Sequence, residues 1–514
     1  MRKIMRFFLG VVTLSVFIAC DHDYLGTEPS GDVSEYNVFK DTEGIIYAVN
    51  GLAKLMSTSY VGSGNNGEGT IKLIYGETAG NHYRKDRAGS VGVSNHDYIE
   101  NVTHLNNYYP WHYYYMVITN ANEIIAQVDD VKGLPSVKKY LKAQAMSYRA
   151  YAYTMLVQIY GNRWQDSNNG ETKSVVLRLS PKDPRAMPLS PLKQVYDQIY
   201  KDLDQAIVLF RESNYKRNPS DNYLIDANVA HAIFARAALN RQDYQSALSH
   251  ATQARVGYPL MSLSVYKEGF NKVTSEWLWC SFGTTDDQLN NNAYGAYIGY
   301  NSEATGVTSG PSRISKELYE SIPMTDVRKQ LFLDPTGYDS STYNATTGVI
   351  QSNSPLDIAV RERFPDISMK AKTAAYMQFK IKVTSQPGVM HVNHFRSSEM
   401  CLIQAEALYF LGRDNEAIAK LVELTKDTQR DVKYVCDKTG VELLNEIIKY
   451  RSIELWGEGF DWFDYKRLNL TIDRKSSKQG GNASDLITKK ITPEMNNKWT
   501  YRIPKAETDY NSEI

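Results

Sequence analysis

The chain has 514 residues, 42% of them hydrophobic and 23% charged, with 58 basic residues against 58 acidic ones. That balance belongs to a folded globular protein long enough for a large core, and it excludes a disordered or collagen-like chain. Zero formal net charge removes any general electrostatic pull toward nucleic acid, so no nucleic-acid partner is expected.

The N-terminus sets the compartment. Arg2, Lys3 and Arg6 precede a thirteen-residue apolar run, Phe7 to Ala19, which is too short to span a bilayer. Residues 1–19 therefore read as a signal peptide. Ala19-Cys20 resembles a lipobox, with Phe17 and Ile18 where Leu and a small residue are usual. Cys20 is the expected site of lipid attachment, palmitate included, and several acyl chains on one Cys hold to a membrane far better than one. Residues 20–34 follow as a polar tether. Cys280, Cys401 and Cys436 are an odd three without zinc-like spacing; they read as small buried residues, with one disulfide left open.

Helical periodicity dominates the body. Residues 41–56 place Ile45, Ile46, Val49, Leu52 and Leu55 at three- and four-residue spacing behind Asp41 or Thr42 as cap. Residues 111–129 repeat the pattern, and residues 137–160 form a long helix stopped by Gly161, with Ala143, Ala145, Ala150 and Ala152 for close helix approach. Further helices are expected at 192–212, 226–241 and from Tyr244, then at 398–424. Twice an alanine-rich helix meets a short polar turn and a second helix: Arg241-Gln242-Asp243 before Ala247, and Gly412-Arg413-Asp414 before Ala417. That is the grammar of a tetratricopeptide-like helix pair, irregularly spaced. Residues 59–108, 283–312 and 334–395 break the rhythm as long Gly-, Asn- and Ser-rich loops. Ala375 to Ile381 alternates as a short strand would. Loops of this length are uncommon unless they have a function.

Tyrosine outnumbers phenylalanine 37 to 15, a bias toward rings with one wet edge. The segment 81–98 offers Asn81, Tyr83, Arg84, Asp86, Asn95 and Tyr98. The segment 290–301 offers Asn290, Asn291, Asn292, Tyr294, Tyr297, Tyr300 and Asn301. Rings that stack on sugar faces, rimmed by amides and a guanidinium, make a ligand surface. Trp277 and Trp279 alternate in an apolar run and read as core, or as one core and one exposed.

Catalytic signals are weak. Glu454 and Glu458 lie four apart on one helix face, but Arg451 and Arg467 are at hand to neutralise them, so a buried ion-pair network is expected rather than a glycosidase pair. Arg396 with Glu399 and Glu406 reads the same way. No nucleophile elbow, phosphate loop, HExxH or EF-hand loop occurs. No metal ligands are expected, His391 and His394 included. No cofactor is expected either, Asp286-Asp287 being the one place offered for a structural calcium ion.

Six pieces in order carry a resemblance. They are Asp23-Tyr24-Leu25 with Pro29 and Phe39-x-x-x-Glu43; Trp111-x-x-x-Tyr115 with Asn120-Ala121-Asn122; Lys142 to Tyr151 (KAQAMSYRAY); Val157-x-x-Tyr160-Gly161; Arg396-x-x-Glu399 with Gln404-Ala405-Glu406-Ala407; and Arg451-x-x-Glu454-Leu455-x-x-Glu458-Gly459-x-x-Trp462-Phe463-Asp464-x-x-Arg467. Together they resemble the SusD/RagB-type nutrient-binding lipoproteins of the Bacteroidetes along nearly the whole chain. The resemblance implies a mostly α, SusD-like fold, with tetratricopeptide-like helix pairs packed against an irregular, loop-rich ligand-binding half. It implies one domain over 35–514, with scaffold at about 35–58, 111–260 and 396–470 and ligand half at about 59–110 and 265–395. It implies a lipid-anchored, surface-exposed outer-membrane protein that binds oligo- or polysaccharide, without catalysis, for a SusC-type TonB-dependent transporter. A peptide ligand, or a surface scaffold or adhesin without a small ligand, are the alternatives. The site residues it points to are Asn81, Tyr83, Arg84, Tyr98, Asn292, Tyr294, Tyr297 and Tyr300.

Overall fold

The computed structural model describes residues 39–57, 64–85, 88–181, 185–285 and 293–514. Cys20, Asp86, Asp286-Asp287 and Asn290 to Asn292 lie outside them. Among the described residues no helix is long and apolar enough to cross a membrane.

Helix α1 (Thr42–Leu55) is capped by Asp41, whose carboxylate accepts from Glu43 N and Gly44 N at 3.1 Å each. Its apolar stripe buries Ile45, Val49, Leu52 and Leu55, while Ile46 stays 40% exposed. The next segment departs from the expected loop. Gly67–Thr70 runs directly into a π-helical stretch, Ile71–Thr78, and the two form a wholly buried α2. Its glycines are contact residues rather than breakers. A Cβ on Gly76 would stand 2.3 Å from Gly459 O, so only a bare backbone fits there.

Helix α3 (Leu105–Gln127) starts before the expected residue 111 and carries Pro110 inside. Proline has no N–H to give to Asn106 O four residues back. Tyr75 Oη donates to that carbonyl instead, at 2.7 Å. One residue on, the Tyr160 hydroxyl enters the ladder, accepting from Trp111 N at 3.1 Å and donating to Asn107 O. Other tyrosines do similar work inside. Tyr109 donates to Gly67 O, Tyr153 to Arg178 O, and Tyr114 and Tyr151 both to the buried Glu68 carboxyl. The tyrosine excess is thus largely an interior feature. Each of these hydroxyls finds a protein partner, so these rings can be buried at little cost, whereas the Tyr140 and Tyr434 hydroxyls are buried without one.

The scaffold continues through α4 (Pro135–Tyr160), α5 (Leu192–Ser213), α6 (Ala227–Arg241) and α7 (Tyr244–Ala254). Each packs on the next. The alanines at 143, 145, 150 and 152, like those at 247, 251 and 254, are fully buried where helices touch. Asp226 and Asp243 cap α6 and α7 through Val229 N and Ser246 N. A short helix α8 (Tyr294–Ile298) and α9 (Pro355–Arg363) belong to the loop-rich half. The scaffold resumes with α10 (Ser397–Phe410), α11 (Asp414–Val422), α12 (Gly440–Glu454) and α13 (Asp461–Arg467). Helix α10 packs on α7 and α11.

Sheet is scarce. Strand β1 (Tyr83–Arg84) pairs antiparallel with β3 (Arg313–Ile314), and β2 (Trp277–Ser281) with β4 (Val392–Arg396). Both Trp277 and Trp279 are core residues, at 0% and 1% exposure. The alternating run 375–381 makes isolated bridges, Met377 to Arg313 and Gln378 to Phe332, rather than a strand. The three cysteines are free thiols; Cys280 and Cys401 are buried and Cys436 half-buried.

Candidate functional site

The carboxylates come first, because they decide against one chemistry. Glu454 and Glu458 are buried and ion-paired, but with partners other than those the sequence suggested. Arg396 binds Glu458 through two parallel hydrogen bonds of 2.8 Å, and reaches Glu276 and Glu454 at 2.8 Å each. Arg328 takes the other oxygen of Glu454 at 2.8 Å, and Lys380 Nζ donates to Glu458 at 2.6 Å. The surrounding guanidinium and ammonium charges hold Glu454 well below the usual carboxylate range against the cost of burial, and hold Glu458 at about 2. Arg451 and Arg467 instead share Asp464, Arg467 also holding Glu406, and Glu399 pairs with Arg236. Every one of these acids is saturated by a cation, so none is free to act as general acid or base.

The two loops expected to build a ligand surface do meet. Lys85 Nζ donates to Tyr297 O at 2.6 Å, Ser90 Oγ and Tyr297 Oη lie 2.9 Å apart, and Tyr83 Oη and Ser312 Oγ lie 2.6 Å apart. The rings, however, turn inward. Tyr83, Tyr294, Tyr297 and Tyr300 are 1–6% exposed. Tyr294 donates to Gly457 O and Tyr300 to the Asp366 carboxylate. This corrects the reading of these four as stacking platforms: the rings are buried, and each hydroxyl read as wet has a protein hydrogen-bond partner. Arg84 is buried too, donating to Asn81 O at 2.6 Å with its other arm 3.6 Å from Glu317. Asn81 spans from Tyr465 Oη to Asp473 N. Tyr98 is half-buried and stacks on His104 at 3.7 Å. Asn292 lies outside the described residues.

The open site is beside these loops, in residues the sequence did not single out. Residues 342–351 form a tight hairpin. Asn344 N donates to Val349 O at 2.8 Å, Gln351 N to Thr342 O at 2.8 Å, and the Asn344 amide oxygen accepts from Thr346 N and Thr347 N. Gly348 sits at φ 70° in the turn, where a Cβ would fall 2.6 Å from Arg313 Nη1, so glycine fits both the conformation and the space. The hairpin faces Ser309, Gly310 and Pro311, and Lys372 closes a third side, its N–H held by Thr308 O. The open cleft has a volume of about 590 Å³, within the range of small-molecule clefts. Its wall offers hydroxyls from Ser309, Ser341 and Thr347, amides from Asn344 and Gln351, one ammonium, and the half-buried ring of Tyr343. None of the lining residues is a carboxylate. Behind the cleft, Ser312 and Arg313 tie it to Tyr83 and β1. The sequence signal for it was the run Asp334 to Gly348 (DPTGYDSSTYNATTG), whose turn residues surround two aromatics, Tyr338 and Tyr343, without marking either.

Among the described residues no group of three or more His, Cys, Asp or Glu side chains is placed to share a metal ion. His391 accepts from Gly283 N, and His394 lies 2.6 Å from Ser281 Oγ.

The described residues form a helical scaffold carrying a loop-built polar cleft. A family model described as starch-binding and associating with the outer membrane matches residues 32–239, and the SusD family model matches residues 233–514. The chain belongs to the SusD family. A SusD-like protein of Formosa agariphila is 22% identical over 507 residues, covering 91% of each chain. A second SusD-like protein of that organism is 23% identical over 485 residues, covering 90% of each. Among solved structures, a SusD-like carbohydrate binding protein from Bacteroides vulgatus superposes with a TM-score of 0.75 at 22% identity, covering 92% of this chain and 97% of that one.

Proposed function

We propose that this protein binds an oligo- or polysaccharide at the bacterial surface and hands it, unhydrolysed, to a SusC-type TonB-dependent transporter in the outer membrane. The observation that carries the reading is the cleft framed by Tyr343, Asn344, Gln351 and Lys372. A sugar needs an apolar face to lie on and a rim of hydrogen-bonding groups around it, and this wall supplies both. Membership in the SusD family and the carbohydrate-binding description of the Bacteroides vulgatus neighbour support it. A wall without carboxylates favours binding over hydrolysis, because glycosidase chemistry needs two carboxyls across the bond. Lipid on Cys20 would hold the chain at the membrane where the transporter sits.

Isothermal calorimetry of the purified chain against a panel of polysaccharides, oligosaccharides and peptides tests this. Saturable heat with one glycan and no reducing ends released over hours is the expected result. Heat from peptides alone would transfer the function to peptide capture. Silence from both would leave a surface scaffold or adhesin.

A further inference from the structure

Helices α6 and α7 carry a feature unconnected to the cleft. His231 on α6 and His250 on α7 face each other with their Nδ1 atoms 2.8 Å apart. Their ring centroids are 5.0 Å apart and the planes are inclined by 37°. Both rings are half-buried. His250 stacks on Phe234 at 3.7 Å, and both parent helices start at aspartate caps that set their phase.

The two Nδ1 atoms share a hydrogen bond, and a chelate built on them has a particular size. Bonds from nitrogen to Zn²⁺ of about 2.0–2.1 Å at an angle between about 90° and 110° place the two nitrogens about 2.9–3.4 Å apart. The observed gap needs only a small opening of the helix pair to match. Imidazole suits zinc, copper and nickel ions, and Asp243 lies near enough to favour positive charge at His250. Burial holds both rings at about 4, so both are neutral at physiological pH, the form that ligates.

We propose that His231 and His250 form a two-histidine site for a divalent transition-metal ion, with water completing the coordination at the half-exposed face. The proton shared between the two Nδ1 atoms moves to the Nε2 edge as the ion enters, leaving two neutral imidazoles and releasing no net proton.

The test is titration of the chelator-stripped chain with Zn²⁺ by calorimetry, beside His231→Gln and His250→Gln, together with electron paramagnetic resonance of the Cu²⁺ form. One ion per chain, lost in either variant, with two nitrogen ligands in the copper spectrum, is the expected result. Absence of saturable binding overturns the proposal, as does binding that both variants retain. If a variant fails to fold, the wild-type copper spectrum decides alone: fewer than two nitrogens overturns it.

Discussion

Arg396 grips Glu458 with two hydrogen bonds, Nε to Oε2 and Nη2 to Oε1, both 2.8 Å long. The pair sits where β4 meets the end of α12, so it joins the loop-rich half to the helical scaffold. Glu276, from the start of β2, meets the same guanidinium. Substituting Arg396→Met leaves Glu454 and Glu458 buried with fewer counter-charges. We expect it to cost about 3–5 kcal/mol, the range for breaking one member of a buried ion pair, read from urea unfolding.

The same network sets acid behaviour. Glu454 and Glu458 are held below their unfolded value, so the native state binds fewer protons than the unfolded chain. Their stabilisation is present above about pH 4.5 and is lost as pH falls toward the folded value of Glu458, about 2. Unfolding midpoints measured from pH 6 to pH 2 should drop most steeply below pH 4.5, and Glu458→Gln should flatten that drop.

Lys466 is buried and its ammonium donates to the carbonyls of Gln158 and Gly161 at 2.7 and 2.9 Å, where α4 ends. Removing it orphans helix C-terminal carbonyls, so Lys466→Met should cost about 1–3 kcal/mol at pH 6. Burial pushes the group down to about 7. Between about pH 7 and 10.5 the unfolded chain therefore carries the extra proton, and this lysine makes stability rise with pH. The wild type minus variant difference, followed across that window by chemical denaturation, should grow with pH.

Glu77 lies in α2 and accepts from Gly459 N and Phe460 N through one oxygen, at 2.6 and 3.2 Å. Its other oxygen is buried without a partner. Burial and the neighbouring Asp461 push Glu77 up to about 8, and burial pushes Asp461 to about 7. A raised carboxyl stabilises fully below its unfolded value of about 4.5 and loses that contribution as pH rises through about 8. Glu77→Gln keeps the accepting oxygen and removes the charge. It should match the wild type near pH 5 and exceed it in thermal midpoint at pH 9.

Much of the scaffold was legible. Asp41 announced a helix start, and the alanines of α4, α6 and α7 announced close packing, because caps and small-residue stripes are local signals. Helix α2 was hidden. Gly67, Gly69 and Gly76 look like breakers, and only the approach of Gly459, 383 residues further on, explains Gly76. Ion-pair partners were misassigned for the same reason. Glu454 has Arg451 nearby in sequence, but the fold delivers Arg328 and Arg396 to it. The candidate site was half legible: the two expected loops meet, yet the rings of Tyr83, Tyr294, Tyr297 and Tyr300 are buried against partners that no local pattern reveals. Tyr343, in a run of turn residues, gave no sign of being the ring left at an open wall.

The account stands most directly on whether that ring receives the sugar. Calorimetry with the glycan found in the panel should compare the wild type with Tyr343→Ala, with circular dichroism to verify folding. Loss of about 1–2 kcal/mol of binding, roughly 5- to 30-fold in Kd, is the predicted result for removing a stacking ring. Unchanged affinity in a folded variant would contradict the assignment of the ligand to the cleft at 309–351.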